Sequence, residues 1–170
     1  KDGDELEAML EYSLQLDGPC AIRYPRGSAE TIGKTNKIQI GKSHQLKRGT
    51  DVEIWSVGTM AKIVLEAADI LKSNGISASV INAEFIKPLD KEKLEKSASK
   101  YPLIVTVEDN MISGGFGESV KEHLKGSDLK IINIGWPDSF IEHGTADELY
   151  KKHGMDAKSI AERIIKELER

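Results

Sequence analysis

Two hydrophobic patterns take turns along most of the chain: short apolar runs, and segments whose apolar residues recur at helical spacing. The clearest run covers residues 103–107, which are all apolar or β-branched, and it predicts an interior strand covered on both faces. Shorter runs at 52–57, 76–81 and 131–134 predict three more strands. Residues 44–47, which precede a glycine turn, predict an edge strand or a hairpin.

Helical spacing predicts helices between and after the four buried runs. Asp90 and Asp156 are suitable N-caps for two of these helices, and Thr145 with Glu148 matches the capping-box pattern. Strands and helices that alternate with short connections specify parallel strands joined by right-handed crossovers. We therefore predict an α/β fold with three layers, α/β/α, and a mostly parallel sheet of about five strands with one antiparallel edge strand.

Residues 1–36 are predicted to lie outside the main domain. A helix that ends at residues 17–19 is followed by a short strand at residues 20–22, in which Cys20 is expected to be a small core residue. Residues 28–36 are small, polar and unperiodic, which is typical of a linker. We therefore expect the main domain to occupy residues 37–170.

Composition narrows the class of protein. At 170 residues the chain is long enough for one well-covered core with some additional elements. Its net charge of −4 and the interspersed basic and acidic residues offer no basic face to nucleic acid. A single cysteine forms no intramolecular disulfide, and no apolar run is long enough to cross a membrane. We expect a cytoplasmic protein, and the absence of an initiator methionine suggests a fragment.

Residues 23–27, here called the Pro-Arg corner, follow the predicted amino-terminal strand. Arg23, Tyr24 and Arg26 stand here beside Pro25 and Gly27, which favour a turn. Two guanidinium groups at the end of a strand can bind an anion. The alternative is that both arginines are solvated or pair with nearby acids, and the residues alone leave both interpretations open.

The segment after residue 107 holds further candidates. Gly114, Gly115 and Gly117 precede a helix, where backbone amides can hold a phosphate, but they match neither the dinucleotide fingerprint nor the P-loop pattern. A turn or close backbone packing is therefore the favoured interpretation. Glu108 and Asp109 could form an acid and base pair, although neighbouring residues tend to point apart, which favours a solvated loop.

The histidines predict no metal site, because none stands at metal-binding spacing from another His, Cys or Glu. His143 follows Glu142 in a loop expected near the active end of the sheet, and a structural role at a helix entrance is favoured over catalysis. Six large apolar residues fall in predicted loops, where they cover either another domain or subunit, or the ends of the sheet. They are Met111, Ile112, Phe116, Trp136, Phe140 and Ile141.

Five segments in order carry a resemblance to a known family. They are GPCAIRYPRG (residues 18–27), VGTM (57–60), FIKPLD (85–90), VTVEDNMISGGFG (105–117) and INIGWPDSFIEHGT (132–145). Together they resemble the end of the 1-deoxy-D-xylulose-5-phosphate synthase family, within the wider transketolase group. Two small departures are Asp109, where a second Glu is common, and Phe116, where a small residue is common.

The resemblance implies a transferase that uses thiamine diphosphate and magnesium to decarboxylate pyruvate and condense the product with D-glyceraldehyde 3-phosphate, for isoprenoid and thiamine biosynthesis. It implies a homodimer whose cofactor and metal are held by domains outside this chain. Residues 1–27 would be the tail of the preceding pyrimidine-binding domain, 28–36 a linker, and 37–170 the transketolase-like C-terminal domain. The fragment alone is then expected to be inactive, with a structural and dimerisation role.

One site residue follows from the resemblance. Arg26, by its place in YPRG, resembles the arginine that binds the phosphate of glyceraldehyde 3-phosphate, with Arg23 and Tyr24 as possible neighbours. No catalytic, cofactor-binding or metal-binding residue is assigned within the chain. Two alternatives stay open: the C-terminal domain of another transketolase or a 2-oxoacid dehydrogenase β subunit, and a flavodoxin-like phosphate- or nucleotide-binding module that uses residues 114–117.

Overall fold

The computed structural model describes residues 1–28, 30–35 and 37–169. The elements are α1 (Gly3–Ser13), β1 (His44–Lys47), β2 (Val52–Ser56), α2 (Met60–Ser73), β3 (Ala78–Asn82), α3 (Lys91–Lys100), β4 (Leu103–Met111), α4 (Phe116–His123), β5 (Lys130–Trp136), α5 (Ala146–Lys152) and α6 (Ala157–Leu168). Within the described ranges, strands and helices alternate from β2 to α5, with a helix and an extra strand before this part and a last helix after it.

The five strands form one sheet in the order β1-β3-β2-β4-β5. Strand β1 runs antiparallel to β3 at one edge, and the other three pairings are parallel. The side chains of β2, β3 and β4 are buried almost throughout, because these interior strands lie where helices cover both faces of the sheet. The predicted mixed sheet with one antiparallel edge strand is confirmed.

Helices cover both faces of this sheet, as the alternating pattern predicted. On one face, Ile54 and Val105 pack against apolar residues of α2 and α6, such as Val64 and Ile160. On the other face, Trp55, Ile81 and Ile104 pack with Leu94 of α3 and with Phe116 and Val120 of α4. The three-layer architecture is therefore confirmed.

The predicted helix caps are also present. Asp90 accepts a hydrogen bond from the Lys93 amide, and Asp156 accepts one from the amide of Ser159. Thr145 and Glu148 form the reciprocal capping box at the start of α5. Caps depend on residues three apart in sequence, so they can be predicted without knowledge of the tertiary fold.

Strand β4 is longer than predicted. The apolar run predicted a strand over residues 103–107 with a loop at Glu108 and Asp109, but the strand continues to Met111. The register with β5 shifts between Val107 and Met111, so these polar residues lie in an irregular part of the ladder. They stand at the carboxyl end of the sheet.

The amino-terminal prediction is only partly correct. Helix α1 is present and is capped by Asp2, which accepts a hydrogen bond from the amide of Glu5 at 2.9 Å. Residues 20–22 do not form the predicted strand, and Cys20 is exposed instead of lying in a core. A strand needs a neighbour to pair with, and no described strand adjoins residues 20–22. No helix within the described ranges has the length and apolarity needed to cross a bilayer.

Candidate functional site

A cleft of about 520 Å³ lies between the amino-terminal segment and the carboxyl ends of the parallel strands. Its lining includes Arg23 and Tyr24 from the segment, Thr59 from the loop after β2, Glu84 from the loop after β3, and Asp109 from β4. In open α/β sheets this end of the strands is where ligands usually bind. The cleft is therefore the first candidate for a functional site.

The three residues of the Pro-Arg corner differ in their surroundings. Arg23 donates a hydrogen bond from Nη2 to the backbone carbonyl of Asp109 at 2.7 Å. Tyr24 also lines the cleft and is 64% exposed. Arg26 is exposed and lies outside the cleft lining, and within the described ranges it takes part in no ion pair. Its guanidinium is therefore free to meet an anion that approaches the corner.

Asp109 is the centre of a network at the same edge of the sheet. Its carboxylate accepts a hydrogen bond from Trp136 Nε1 at 2.7 Å and interacts electrostatically with the Tyr150 side chain. The Tyr150 ring stacks on Trp136 with 5.7 Å between centroids. Burial, together with the nearby Asp109 carboxylate, raises the pKa of Tyr150 to about 12, so the hydroxyl keeps its proton near neutral pH. Residues from β4, β5 and α5 thus hold Asp109 in place.

Glu108, one residue earlier, points into the protein. Its carboxylate accepts hydrogen bonds from the amides of Phe116 and Gly117, both at 2.8 Å, at the start of α4. Burial raises the pKa of Glu108, while these two amides oppose that shift. The expected solvated loop is wrong for this residue, which is 2% exposed. Glu108 and Asp109 point apart, as expected, and do not form an acid and base pair.

The glycines of this segment permit close packing around Glu108. A Cβ atom on Gly115 would lie 2.5 Å from Glu108 Oε2, and one on Gly117 would lie 2.5 Å from Asn133 Cγ. The favoured interpretation of close backbone packing is therefore correct for these two positions. Because the Glu108 carboxylate already binds the amides of Phe116 and Gly117, these two amides are not available to a phosphate, which weighs against the nucleotide-binding alternative.

A second acidic group lies deeper in the cleft. Glu84 has a left-handed backbone with φ of 51°, and its buried side chain contacts Nδ1 of His44. Glu5 of α1 accepts a hydrogen bond from Asn82 Nδ2 at 2.5 Å. Burial, and next the nearby Glu5 carboxylate, raise the pKa of Glu84 to about 8. No local sequence pattern indicated this group, since its members are far apart along the chain.

The histidines form no metal site with the described Cys, Asp and Glu residues. His143 is exposed in the loop before α5, and nothing in its surroundings assigns it a role. His44 is half-buried beside Glu84, and burial is the main cause that lowers its pKa. His123 and His153 lie within 3.5 Å of Glu95 and Glu142 respectively.

The large apolar residues of the loops divide between the two predicted roles. Phe116 is buried, and Trp136 packs beside the core, so these two residues cover the end of the sheet. Met111 is 40% exposed and Phe140 is fully exposed. The first pair has a structural role within the domain, and the second pair is available to another surface.

Comparison with known proteins assigns the fold to a family. The family profile described as "Transketolase, C-terminal domain" matches residues 41–160. The chain belongs to this family. The match covers all five strands, β1 to β5, and therefore the whole sheet.

Longer relatives match almost the whole chain. It is 41% identical over 169 residues to the 1-deoxy-D-xylulose-5-phosphate synthase of Caldanaerobacter subterraneus subsp. tengcongensis, and 43% identical over 169 residues to that of Chlorobium phaeovibrioides. These matches cover 97% and 96% of the chain but 27% of each synthase. The resemblance to the C-terminal part of these synthases is therefore confirmed, and the chain spans about a quarter of their length.

Solved structures agree with the family assignment. A chain described as "Split gene transketolase, inactive beta4 tetramer" superposes with a TM-score of 0.88 at 31% identity, over 95% of this chain and 54% of that one. A transketolase from Campylobacter jejuni superposes with a TM-score of 0.54 at 18% identity, over 74% of this chain and 18% of that one, which supports the fold alone.

Proposed function

We propose that the chain is the C-terminal part of a 1-deoxy-D-xylulose-5-phosphate synthase. The observation that carries the proposal is the 41–43% identity to such synthases across 96–97% of the chain. The match therefore includes both the amino-terminal segment and the domain that contains the sheet. The complete enzyme would condense pyruvate with D-glyceraldehyde 3-phosphate and release CO₂. We place it in the cytoplasm, in isoprenoid and thiamine biosynthesis.

Within this proposal the chain has three parts. Residues 1–27 are the tail of the preceding pyrimidine-binding domain, 28–36 a linker, and 37–170 the C-terminal domain. The exposed apolar residues Leu14, Met111 and Phe140 support a place within a larger protein, since they offer contact surface to the rest of it. We propose that this surface includes part of a homodimer interface.

The described residues do not fit the cofactor that such an enzyme uses. Thiamine diphosphate needs a site for its diphosphate and magnesium, whereas the amides at the start of α4 are bonded to Glu108. No described cluster of His, Cys, Asp and Glu could hold a metal. We therefore propose that thiamine diphosphate and Mg²⁺ bind to other parts of the enzyme, and that the isolated chain is inactive.

The contribution of this chain to substrate binding would be Arg26. A guanidinium binds a phosphate through two parallel charge-assisted hydrogen bonds, which suits an exposed arginine without an ion-pair partner among the described residues. Its position outside the cleft lining would place the phosphate at the rim.

The test is product formation by the protein encoded by the complete gene. With pyruvate, D-glyceraldehyde 3-phosphate, thiamine diphosphate and Mg²⁺ it is expected to release CO₂ and form 1-deoxy-D-xylulose 5-phosphate, while the 170-residue chain forms none. Transfer of a two-carbon unit between sugar phosphates instead would favour a transketolase, the function named for the split-gene structural neighbour.

A further inference from the structure

The segment that carries the Pro-Arg corner has little regular structure to hold it. Residues 14–27 contain no helix or strand. Among the described residues, one hydrogen bond joins this segment to residues 37–169, namely the bond from Arg23 Nη2 to the Asp109 carbonyl. Arg23 and Asp109 are 86 positions apart, so this contact fixes the segment to a distant part of the chain.

The acceptor of this bond is unusually well placed. The register of β4 and β5 is irregular between Val107 and Met111, which leaves the Asp109 carbonyl outside the regular ladder and available to Arg23. The Asp109 carboxylate is held separately by Trp136, on which the Tyr150 ring stacks. The carbonyl is therefore a fixed point at the carboxyl end of the sheet.

The chain between the two arginines is short and stiff. Only Tyr24 and Pro25 separate them; the proline ring fixes its own φ, and it restricts the backbone of the preceding residue. Holding Arg23 in place therefore limits where the backbone of Arg26 can lie. Arg23 itself has a protein partner, whereas the Arg26 guanidinium has no hydrogen-bond or ion-pair partner among the residues that the structure describes.

We propose that Arg23 is a positioning residue that fixes the Arg26 corner against the Asp109 carbonyl, so that Arg26 is pre-organised to bind the phosphate of the substrate. The inference rests on the proposed function, because it takes Arg26 as the phosphate ligand. It assigns the C-terminal domain an indirect part in substrate binding: the irregular end of β4 holds Arg23, and thereby the corner of the preceding segment that carries Arg26.

The first test measures the contact itself in the 170-residue chain. The rate of trypsin cleavage after Arg26 is followed by mass spectrometry. It is expected to be about three- to tenfold higher in Arg23→Ala, because the corner then opens more often by the factor that corresponds to the loss of one hydrogen bond. Arg48→Ala removes an exposed arginine elsewhere and is the matched control, expected to cleave at the wild-type rate. Equal cleavage rates in all three proteins would overturn the proposal.

The second test measures Michaelis constants in the complete enzyme, with D-glyceraldehyde 3-phosphate and with unphosphorylated D-glyceraldehyde. Arg23→Ala is expected to raise the KM for the phosphorylated substrate about three- to tenfold, leave the KM values for D-glyceraldehyde and pyruvate unchanged, and be partly rescued by Arg23→Lys. In an Arg26→Ala background, Arg23→Ala is expected to have no further effect, because Arg23 acts through Arg26.

The outcomes separate the two proposals. If Arg26→Ala raises the KM for the phosphorylated aldehyde and Arg23→Ala does not, the positioning role is wrong and the phosphate site stands. If Arg23→Ala has the same effect with and without Arg26, Arg23 contacts the phosphate directly and the positioning role is again wrong. If Arg26→Ala has no effect, the phosphate site is wrong, and the positioning role with it. Thermal unfolding of each variant identifies misfolding, in which case Arg23→Gln replaces Arg23→Ala.

Discussion

Replacement of Glu108 by alanine tests why the glycine segment does not hold a phosphate. The change removes a buried carboxylate that accepts hydrogen bonds from the amides of Phe116 and Gly117. Each amide left without a partner in the interior costs about 1–3 kcal/mol. Burial of the Glu108 carboxylate itself costs free energy, as its raised pKa indicates. The alanine variant no longer has this cost, which offsets part of the loss. We therefore expect Glu108→Ala to lower the free energy of unfolding by about 2–4 kcal/mol.

Urea unfolding monitored by tryptophan fluorescence can measure this loss. With a slope of about 2 kcal/mol per molar urea, the midpoint should fall by about 1–2 M. Glu118→Ala is the matched control, because Glu118 accepts a hydrogen bond from the Gly114 amide at 2.7 Å but is exposed. It should cost less than about 1 kcal/mol, since water can replace an exposed partner. Equal and small losses for both variants would refute the assignment of Glu108 as an internal ligand of these amides.

Two further changes test the packing and the acidic group. Gly117→Ala would place a Cβ atom 2.5 Å from Asn133 Cγ, so it should lower the free energy of unfolding, measured by urea unfolding, by about 1–3 kcal/mol. Gly18→Ala, at a position with open space around it, should have little effect. Glu84 binds a proton more tightly in the folded protein, with a pKa of about 8 against 4.5 for the free side chain. Its contribution to stability is therefore complete below about pH 4.5 and is lost as the pH rises through 8. Urea unfolding between pH 5 and 9 should show that the free energy of unfolding declines less with pH in Glu84→Gln than in the wild-type protein.

The sequence was sufficient to predict the architecture because the relevant signals are local. The apolar run at 103–107 and the caps at Asp90 and Asp156 depend on neighbouring residues, and each of them lies where the pattern placed it. Alternation of strands and helices then leaves few possible topologies. The antiparallel edge strand at 44–47 followed from the same pattern.

The functional end of the sheet depends on contacts between distant residues, which no local pattern shows. The polarity of Glu108 predicted a solvated loop, whereas its carboxylate is buried because two amides from α4 bind it. The strand prediction at residues 20–22 was wrong because an apolar run needs a pairing partner, and none adjoins it in the described structure. Likewise, the Arg23 contact depends on an irregularity in β4 that only the tertiary structure reveals.

The central claim is that this chain supplies the phosphate-binding arginine of a larger synthase. The most direct measurement is the KM for each substrate in the complete enzyme with Arg26→Ala. The account predicts a large rise in the KM for D-glyceraldehyde 3-phosphate and an almost unchanged KM for pyruvate, because only the aldehyde carries the phosphate. Equal losses for both substrates, or no change for either, would contradict it.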